Sequence, residues 1–393
     1  MGENLAARSP VTVGREAELA SIDRLLAHAK SGHGGCLVLL GEAGSGKTRL
    51  LREAAARAAR AGSVVLFSDV PATVTPPPFG TVAQALRGWL RHAELEEAGL
   101  ERFAPGLRLV LPEWPRPAEE PDLTTEQLRL LALEGVLRLV LHAGRRSGAV
   151  VVLDDLHSAD PETLEFLHHA SASISREPVA LLVALRQGEG APAEAEARAL
   201  EQRGRATLVP VPPFDAPAVG AMVEAIVGEP PPSDLVDELM ARTDGIPLLV
   251  EELLAAHVAR GALRREGGAL AWSLPARGLV PRTILEMVGQ KLRAMPPDAR
   301  RVVEAAAVLG RADPTLVGPT IGLGSDRVAD ALERGVEAGL LEGGPGHLAF
   351  RHALLMDAVR EGLLPGQRQD LHRRAEGQVA RPALEQAGLD TPL

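Results

Sequence analysis

The chain has one cysteine, no tyrosine, three tryptophans and six phenylalanines among its 393 residues. A lone cysteine, Cys36, cannot close an internal disulfide, which excludes a cysteine-stapled secreted fold. Zinc sites built on three or four cysteines are excluded for the same reason. With so few aromatics, the cores must be assembled from Leu, Val, Ile and Ala. Lysine is scarce as well: 3 residues against 39 arginines, a bias that fits GC-rich coding better than nucleic-acid binding. Long apolar runs are missing too. The longest, residues 179–185, falls far short of the ~18 that suggest a spanning helix, so no membrane is expected. The first six residues have neither the apolar core of a signal peptide nor the Ser or Thr of a myristoylation motif. The expected location is the cytoplasm.

The apolar fraction, 46%, is that of a globular protein, and the net charge is -10 from 42 basic and 52 acidic residues. At roughly 100–200 residues per domain, the length suggests two to three domains. Short continuous apolar runs at residues 36–40, 64–67, 150–153 and 179–185 read as strands, and 206–209 as a last one. They alternate with helical segments at 15–30, 47–61, 81–106, 124–145 and 160–172. Leu19, Ile22, Leu25, Leu26 and Ala29 give the first of these its helical spacing. Thr124 or Thr125 caps the fourth, and Asp160-Pro161 opens the fifth. The alternation predicts an α/β fold with a parallel sheet covered on both faces. Residues 70–121, Pro-rich at both ends, form an insert, either a sensor surface or plain packing. The alternation stops near Pro213. A helical region from Asp215 to Gly261, a hairpin turning at Gly267-Gly268, and several short helices before a second hairpin around residues 343–346 follow. Helices ending in such a hairpin read as a winged helix.

Gly41-Glu42-Ala43-Gly44-Ser45-Gly46-Lys47-Thr48 fits G-x-x-x-x-G-K-[ST] between a strand and a helix. Glycines let the backbone wrap a phosphate, and the helix N-terminus faces the anion. Lys47 is expected to reach the β- and γ-phosphates, and the Thr48 hydroxyl to ligate Mg2+. The second half of such a site is Val150-Val151-Val152-Leu153-Asp154-Asp155, a buried strand ending in carboxylates. Asp154 is the candidate metal ligand. Asp155 either orients the attacking water or is a second outer-shell carboxylate. Arg186, ending the 179–185 strand, either reads the terminal phosphate or pairs with Asp154 or Asp155. His157 is read as a solvated loop residue.

Val13-Gly14-Arg15-Glu16, the P-loop, Leu153-Asp154-Asp155, Leu185-Arg186 and Asp244-Gly245-Ile246-Pro247-Leu248-Leu249 occur in the order of a STAND-type AAA+ ATPase. The ordered set resembles the ATPase module of the large ATP-binding LuxR-type bacterial transcription regulators. Phe350-Arg351-His352-Ala353-Leu354-Leu355-Met356-Asp357 resembles that family's segment at the end of the winged helix. The resemblance implies an ATPase core over residues 1–212, a helical lid over 213–280, a winged-helix domain over 281–380 and a tail over 381–393. It also implies ATP or ADP with Mg2+ as cofactors. Gly41, Gly44, Ser45, Gly46, Lys47, Thr48 and Arg49 would hold the phosphates. Val13, Gly14 and Arg15 would border the adenine and ribose, Pro247 would touch base or sugar, and His352 would sense the β-phosphate of ADP. The implied function is a slowly hydrolysing nucleotide switch, with self-association and a protein or small-molecule signal as expected partners. Family members usually continue into helical repeats and a C-terminal helix-turn-helix. Any DNA contact would therefore belong to a domain absent from this chain. The alternatives are an origin-recognition-like DNA-binding ATPase and a scaffold that retains nucleotide without turnover.

Overall fold

The computed structural model describes residues 9–68, 77–91, 93, 99–116, 122–188, 191–267, 269–275, 278–344 and 347–386. Most of the Pro-rich stretch at 70–80, Pro121, Gly268 of the first hairpin turn, Pro345-Gly346 of the second and the end of the expected tail lie outside the described residues. Contacts divide the chain into two compact units, residues 12–212 and the stretch from 213 onward together with the residues before Thr12.

The first unit runs α1 (Glu16–Lys30), β1 (Gly35–Gly41), α2 (Lys47–Arg60), β2 (Val64–Ser68) and α3 (Gly80–Leu90). A 3-10 turn at Glu101–Phe103 leads into α4 (Ala104–Val110) and α5 (Thr125–Gly144). Next come β3 (Ala149–Leu153), a 3-10 turn (Leu156–Ser158), α6 (Pro161–Ser173), β4 (Val179–Arg186), α7 (Ala191–Gln202) and β5 (Ala206–Pro210). The five strands form one parallel sheet in the order β2-β3-β4-β1-β5. Every residue of β3 is buried, because successive side chains enter cores on opposite faces. Val150 and Val152 join Leu37, Leu39 and Leu182 against α1 and α2, while Val151 and Leu153 join Val38, Leu181 and Leu185 on the other face.

The insert belongs to that second core. Phe79, Val82, Phe103, Leu107, Val110 and Leu111 are all buried in it, which is the packing alternative. The helix expected over 81–106 is broken: α3 ends at Leu90, and Gly99, with φ 58°, precedes the 3-10 turn into α4. At Gly106 a side chain would collide with the α5 backbone at Leu131–Ala132, so α4 and α5 cross there. Helix α7 has no counterpart in the sequence expectations. Its buried positions are Ala193, Ala197 and Leu200, a stripe mostly of alanine that a search for leucine and valine periodicity passes over.

The second unit runs α8 (Ala216–Val227), α9 (Ser233–Thr243), α10 (Pro247–Ala259), hairpin β6 (Leu263–Glu266) and β7 (Ala269–Trp272), then α11 (Arg282–Ala294) and α12 (Pro297–Leu309). It continues through α13 (Pro314–Ile321), α14 (Ser325–Glu337), hairpin β8 (Leu341–Gly344) and β9 (His347–Phe350), α15 (Ala353–Gly362) and α16 (Pro365–Gln386). Asp215 caps α8 by accepting from the Ala218 N–H at 2.9 Å. Buried Arg242 on α9 donates to the Leu279 carbonyl at 2.7 Å and pairs with Asp357 of α15 at 2.9 Å. Among the described residues no helix is long and apolar enough to cross a membrane.

Candidate functional site

The C-terminal ends of β1, β4 and β3, three neighbouring parallel strands, share one edge of the sheet. That edge is where open α/β sheets bind ligands. β1 runs directly into the loop that ends on α2. Gly41 is paired with Arg186 in the β1–β4 register, and the Gln187 N–H donates to the Gly41 carbonyl at 3.1 Å.

Each glycine of the loop has its own reason. A Cβ on Gly41 would lie 2.5 Å from the Val211 carbonyl oxygen and 2.9 Å from the Ser45 hydroxyl. Gly44 and Gly46 have φ of 81° and 100°, a region L side chains rarely adopt. A Cβ on Gly46 would meet nothing within 4 Å among the described residues, so the loop leaves open space at the start of α2. That helix has no side-chain cap and no acid in its first turn, which suits an anion. Lys47 is buried, and its ammonium donates to the carbonyls of Gly41 (2.9 Å) and Glu42 (2.7 Å) beneath the loop. Thr48 is half-buried one residue along. The Ser45 hydroxyl is buried without a hydrogen-bond partner among the described residues, and the Ser45 backbone N–H closes a turn on the Glu42 carbonyl at 3.2 Å.

Asp154 is buried and accepts from the Asp155 N–H at 2.9 Å. Asp155 turns the chain with φ 50°, a left-handed conformation that Asp tolerates better than most residues. Its Oδ1 lies 3.7 Å from Arg186 Nε and 3.6 Å from His157 Nδ1. One of the carboxylates expected to pair with Arg186, Asp155, is therefore within ion-pair distance of it. His157 corrects the sequence reading. Only 7% of its side chain is exposed, because the 3-10 turn after Asp155 folds it inward.

Ahead of the loop, Gly14 takes φ 63°, and Arg49 Nε reaches the Thr12 hydroxyl at 3.2 Å, next to Val13. The Arg15 guanidinium is buried and donates to Ser45 O, Pro212 O and Glu18 Oε1. Burial lowers its pKa while Glu18 raises it. Cys36 on β1 is held up to about 12 by burial and carries no thiolate chemistry.

Pro247 and His352 lie in the second unit. Pro247 opens α10 after Gly245, whose Cα sits against the Phe214 carbonyl so closely that any side chain would collide with it. His352 is buried before α15, makes no side-chain cap, and its Nδ1 is 2.8 Å from Asp244 Oδ2. The sequence reading placed Asp244 in the motif before Pro247 but gave it no role, and it did not name the Glu18 and Pro212 contacts of Arg15. Asp244 did carry a signal, an Asp-Gly pair at the end of a helical pattern, where it adopts φ 49°. The Arg15 contacts join positions 30 and 197 residues apart, which no local pattern announces.

Comparison with known proteins agrees with this geometry. Residues 11–183 match the family model described as an AAA ATPase domain. A relative from Rhizobium meliloti (strain 1021), "Uncharacterized protein R02095", is 28% identical over 398 residues. The match takes in 92% of this chain and 36% of that protein, so the chain spans about a third of the length of the curated relative it matches. Two solved structures share the fold at 16% identity. The Walker-type ATPase paby2304 of Pyrococcus abyssi superposes with a TM-score of 0.51 over 91% of this chain and 98% of that one. The Aeropyrum pernix ORC2 protein does so with a TM-score of 0.50 over 95% and 96%. The first unit is thus an α/β P-loop fold whose residues 11–183 are similar to an AAA ATPase domain.

Proposed function

We propose that the chain is a nucleotide-switch module that binds ATP and ADP with Mg2+ at the loop between β1 and α2 and hydrolyses ATP slowly. We further propose that it serves a bacterial LuxR-type transcription regulator. The observation that carries the nucleotide reading is the open cradle at Gly46, bordered by a helix N-terminus and the buried ammonium of Lys47. The fit is that of a phosphate chain: backbone N–H groups, one compact cation and no acid in the first turn of α2. Residues 41–49 would hold the phosphates, and Thr48 and Asp154 the metal, which supplies charge neutralisation at the phosphate oxygens. Asp155 is the group placed to orient or deprotonate a water, and Arg186 to exchange its Asp155 contact for a terminal phosphate. Val13, Gly14, Pro247 and His352 keep the roles toward base, sugar and diphosphate that the resemblance assigns them. The regulator role is supported by the order of the motifs along the chain. The structure of the Aeropyrum pernix ORC2 protein in ADPNP-ADP complexes lends the nucleotide reading support by fold.

One histidine is not enough for a switch. Reversing a 1:99 equilibrium needs about 5.5 kcal/mol of differential affinity, and one charge-assisted hydrogen bond is worth roughly 1.5–3 kcal/mol. Packing, a signal or self-association must supply the remainder. Calorimetric titration with Mg2+ and ATP tests the reading. Wild type binds, Lys47→Ala binds more weakly by on the order of tenfold or more, and no heat or melting shift with wild type rejects nucleotide binding altogether.

Fold likeness to the ORC2 protein across 95% of the chain supports a second reading, a DNA-binding ATPase. Charge weighs against it: residues 281–393 hold 14 basic and 15 acidic residues, and DNA affinity grows with the number of phosphates neutralised. Duplex binding that weakens steeply with salt would favour this second reading.

A further inference from the structure

Arg15, expected beside the adenine, has its guanidinium engaged elsewhere. Nη2 donates to two backbone carbonyls, Ser45 O and Pro212 O, each at 2.8 Å, and Nη1 donates to Glu18 Oε1 at 2.9 Å. Ser45 is the middle of the phosphate loop. Pro212 lies just beyond β5, the strand beside β1. The start of the loop leans on the same segment. The Val211 N–H donates to the Leu40 carbonyl at 2.7 Å, and Gly41 leaves room there for nothing larger than hydrogen. The loop is therefore fastened to residues 211–212 at two places, by backbone packing at Gly41 and by a side chain at Ser45. Arg15 is 4% exposed, so water cannot readily replace it at either carbonyl. A planar fork spans acceptors on separate chain segments, which a single ammonium does not.

We infer that Arg15 is a positioning residue for the phosphate site, acting through the Ser45 carbonyl to brace the loop against residues 211–212. This rests on the nucleotide reading of that loop. A residue that borders the base affects ATP and leaves a ligand without a base untouched. A residue that braces the loop affects both alike.

The experiment is calorimetry of the full chain with Mg2+–ATP and with Mg2+–tripolyphosphate, for wild type, Arg15→Ala and Arg15→Lys. Both ligands bind Arg15→Ala more weakly by similar factors, on the order of tenfold or more, and millimolar guanidinium restores part of the loss. Unchanged tripolyphosphate binding by a folded Arg15→Ala overturns the inference, as does a loss that guanidinium leaves untouched. Should Arg15→Ala not fold, Arg15→Lys decides: parallel weakening supports the brace and selective loss of ATP overturns it. Failure of wild type to bind either ligand rejects nucleotide binding instead, a different result.

Discussion

Asp155, Asp244 and Phe79 are the non-glycine residues with positive φ among the described residues. Two of them stand beside proposed functional groups: Asp155 at the end of β3 and Asp244 against His352. Such conformations cost on the order of 1–3 kcal/mol for most residues and are tolerated where the surroundings enforce them. Asn accepts the same backbone. Asp155→Asn is therefore expected to keep the fold and ATP binding while losing turnover, measured as phosphate release beside calorimetric affinity. Undiminished turnover would remove Asp155 from the chemistry. A second prediction concerns His257 on α10. It is fully buried, stacked edge-on against Trp272 at 4.7 Å, and neither ring nitrogen has a hydrogen-bond partner among the described residues. Burial, then the charge of Arg242, pulls its pKa down to about 4 from an ordinary 6.5. Between these values the unfolded chain takes up a proton that the folded chain refuses. Its contribution is complete above pH 6.5 and is lost as the pH falls toward 4, by roughly 3 kcal/mol in all. Urea unfolding of wild type against His257→Phe across this window should show the wild type losing ground on acidification, whereas parallel pH profiles would contradict the assignment.

At the scale of elements, two helix starts in the first unit separate a local cap from one that also carries tertiary structure. Thr124 and Gln127 form a reciprocal capping box on α5, both exposed. Thr124→Ala is expected to cost about 1 kcal/mol. Asp160 caps α6 through the Thr163 N–H at 2.8 Å and also accepts the buried Phe79 N–H at 2.7 Å, joining the insert to the helix. Asp160→Ala removes the cap and strands a buried donor, an added cost of about 1–3 kcal/mol. Thermal unfolding of the two variants should rank Asp160→Ala as clearly the more damaging, and equal midpoints would show that the Phe79 contact contributes nothing.

At the scale of the whole molecule, the second unit is stitched together across residue 280 by Arg242. Its guanidinium meets the Leu279 carbonyl and the Asp357 carboxylate, so α9 and α15 share one buried cation. Removing one partner of a buried pair destabilises by about 3–5 kcal/mol when the other charge is left uncompensated. Asp357 is 31% exposed and recovers water when Arg242 is removed, whereas Asp357→Ala leaves the buried guanidinium without that carboxylate, so on charge alone Asp357→Ala is expected to cost more than Arg242→Ala. Hydrogen exchange in Arg242→Ala should accelerate in α9 and α15 together while β1, β3 and β4 keep their protection. Faster exchange in α9 alone would mean that the two helices open independently.

The sequence by itself determined the parallel sheet, the phosphate loop and most helix starts. These depend on neighbours along the chain: continuous apolar runs such as 150–153, glycines where φ must be positive, and Asp-Pro or Thr caps within three residues of the amides they serve. The candidate site was legible to the same depth, since the loop, Asp154, Asp155 and Arg186 all sit at strand ends. Helix α7 was not legible, because alanine buries a stripe without announcing one. Only the tertiary structure decided the strand order, the breaking of the insert helix, the burial of His157, the pairing of Arg186 with Asp155 and of His352 with Asp244, and the engagement of Arg15 with two carbonyls. These are contacts between distant segments. A guanidinium or imidazole can bond any acceptor within reach, and which acceptor comes within reach is set by packing of the sheet and helices, not by the residues beside it in the chain.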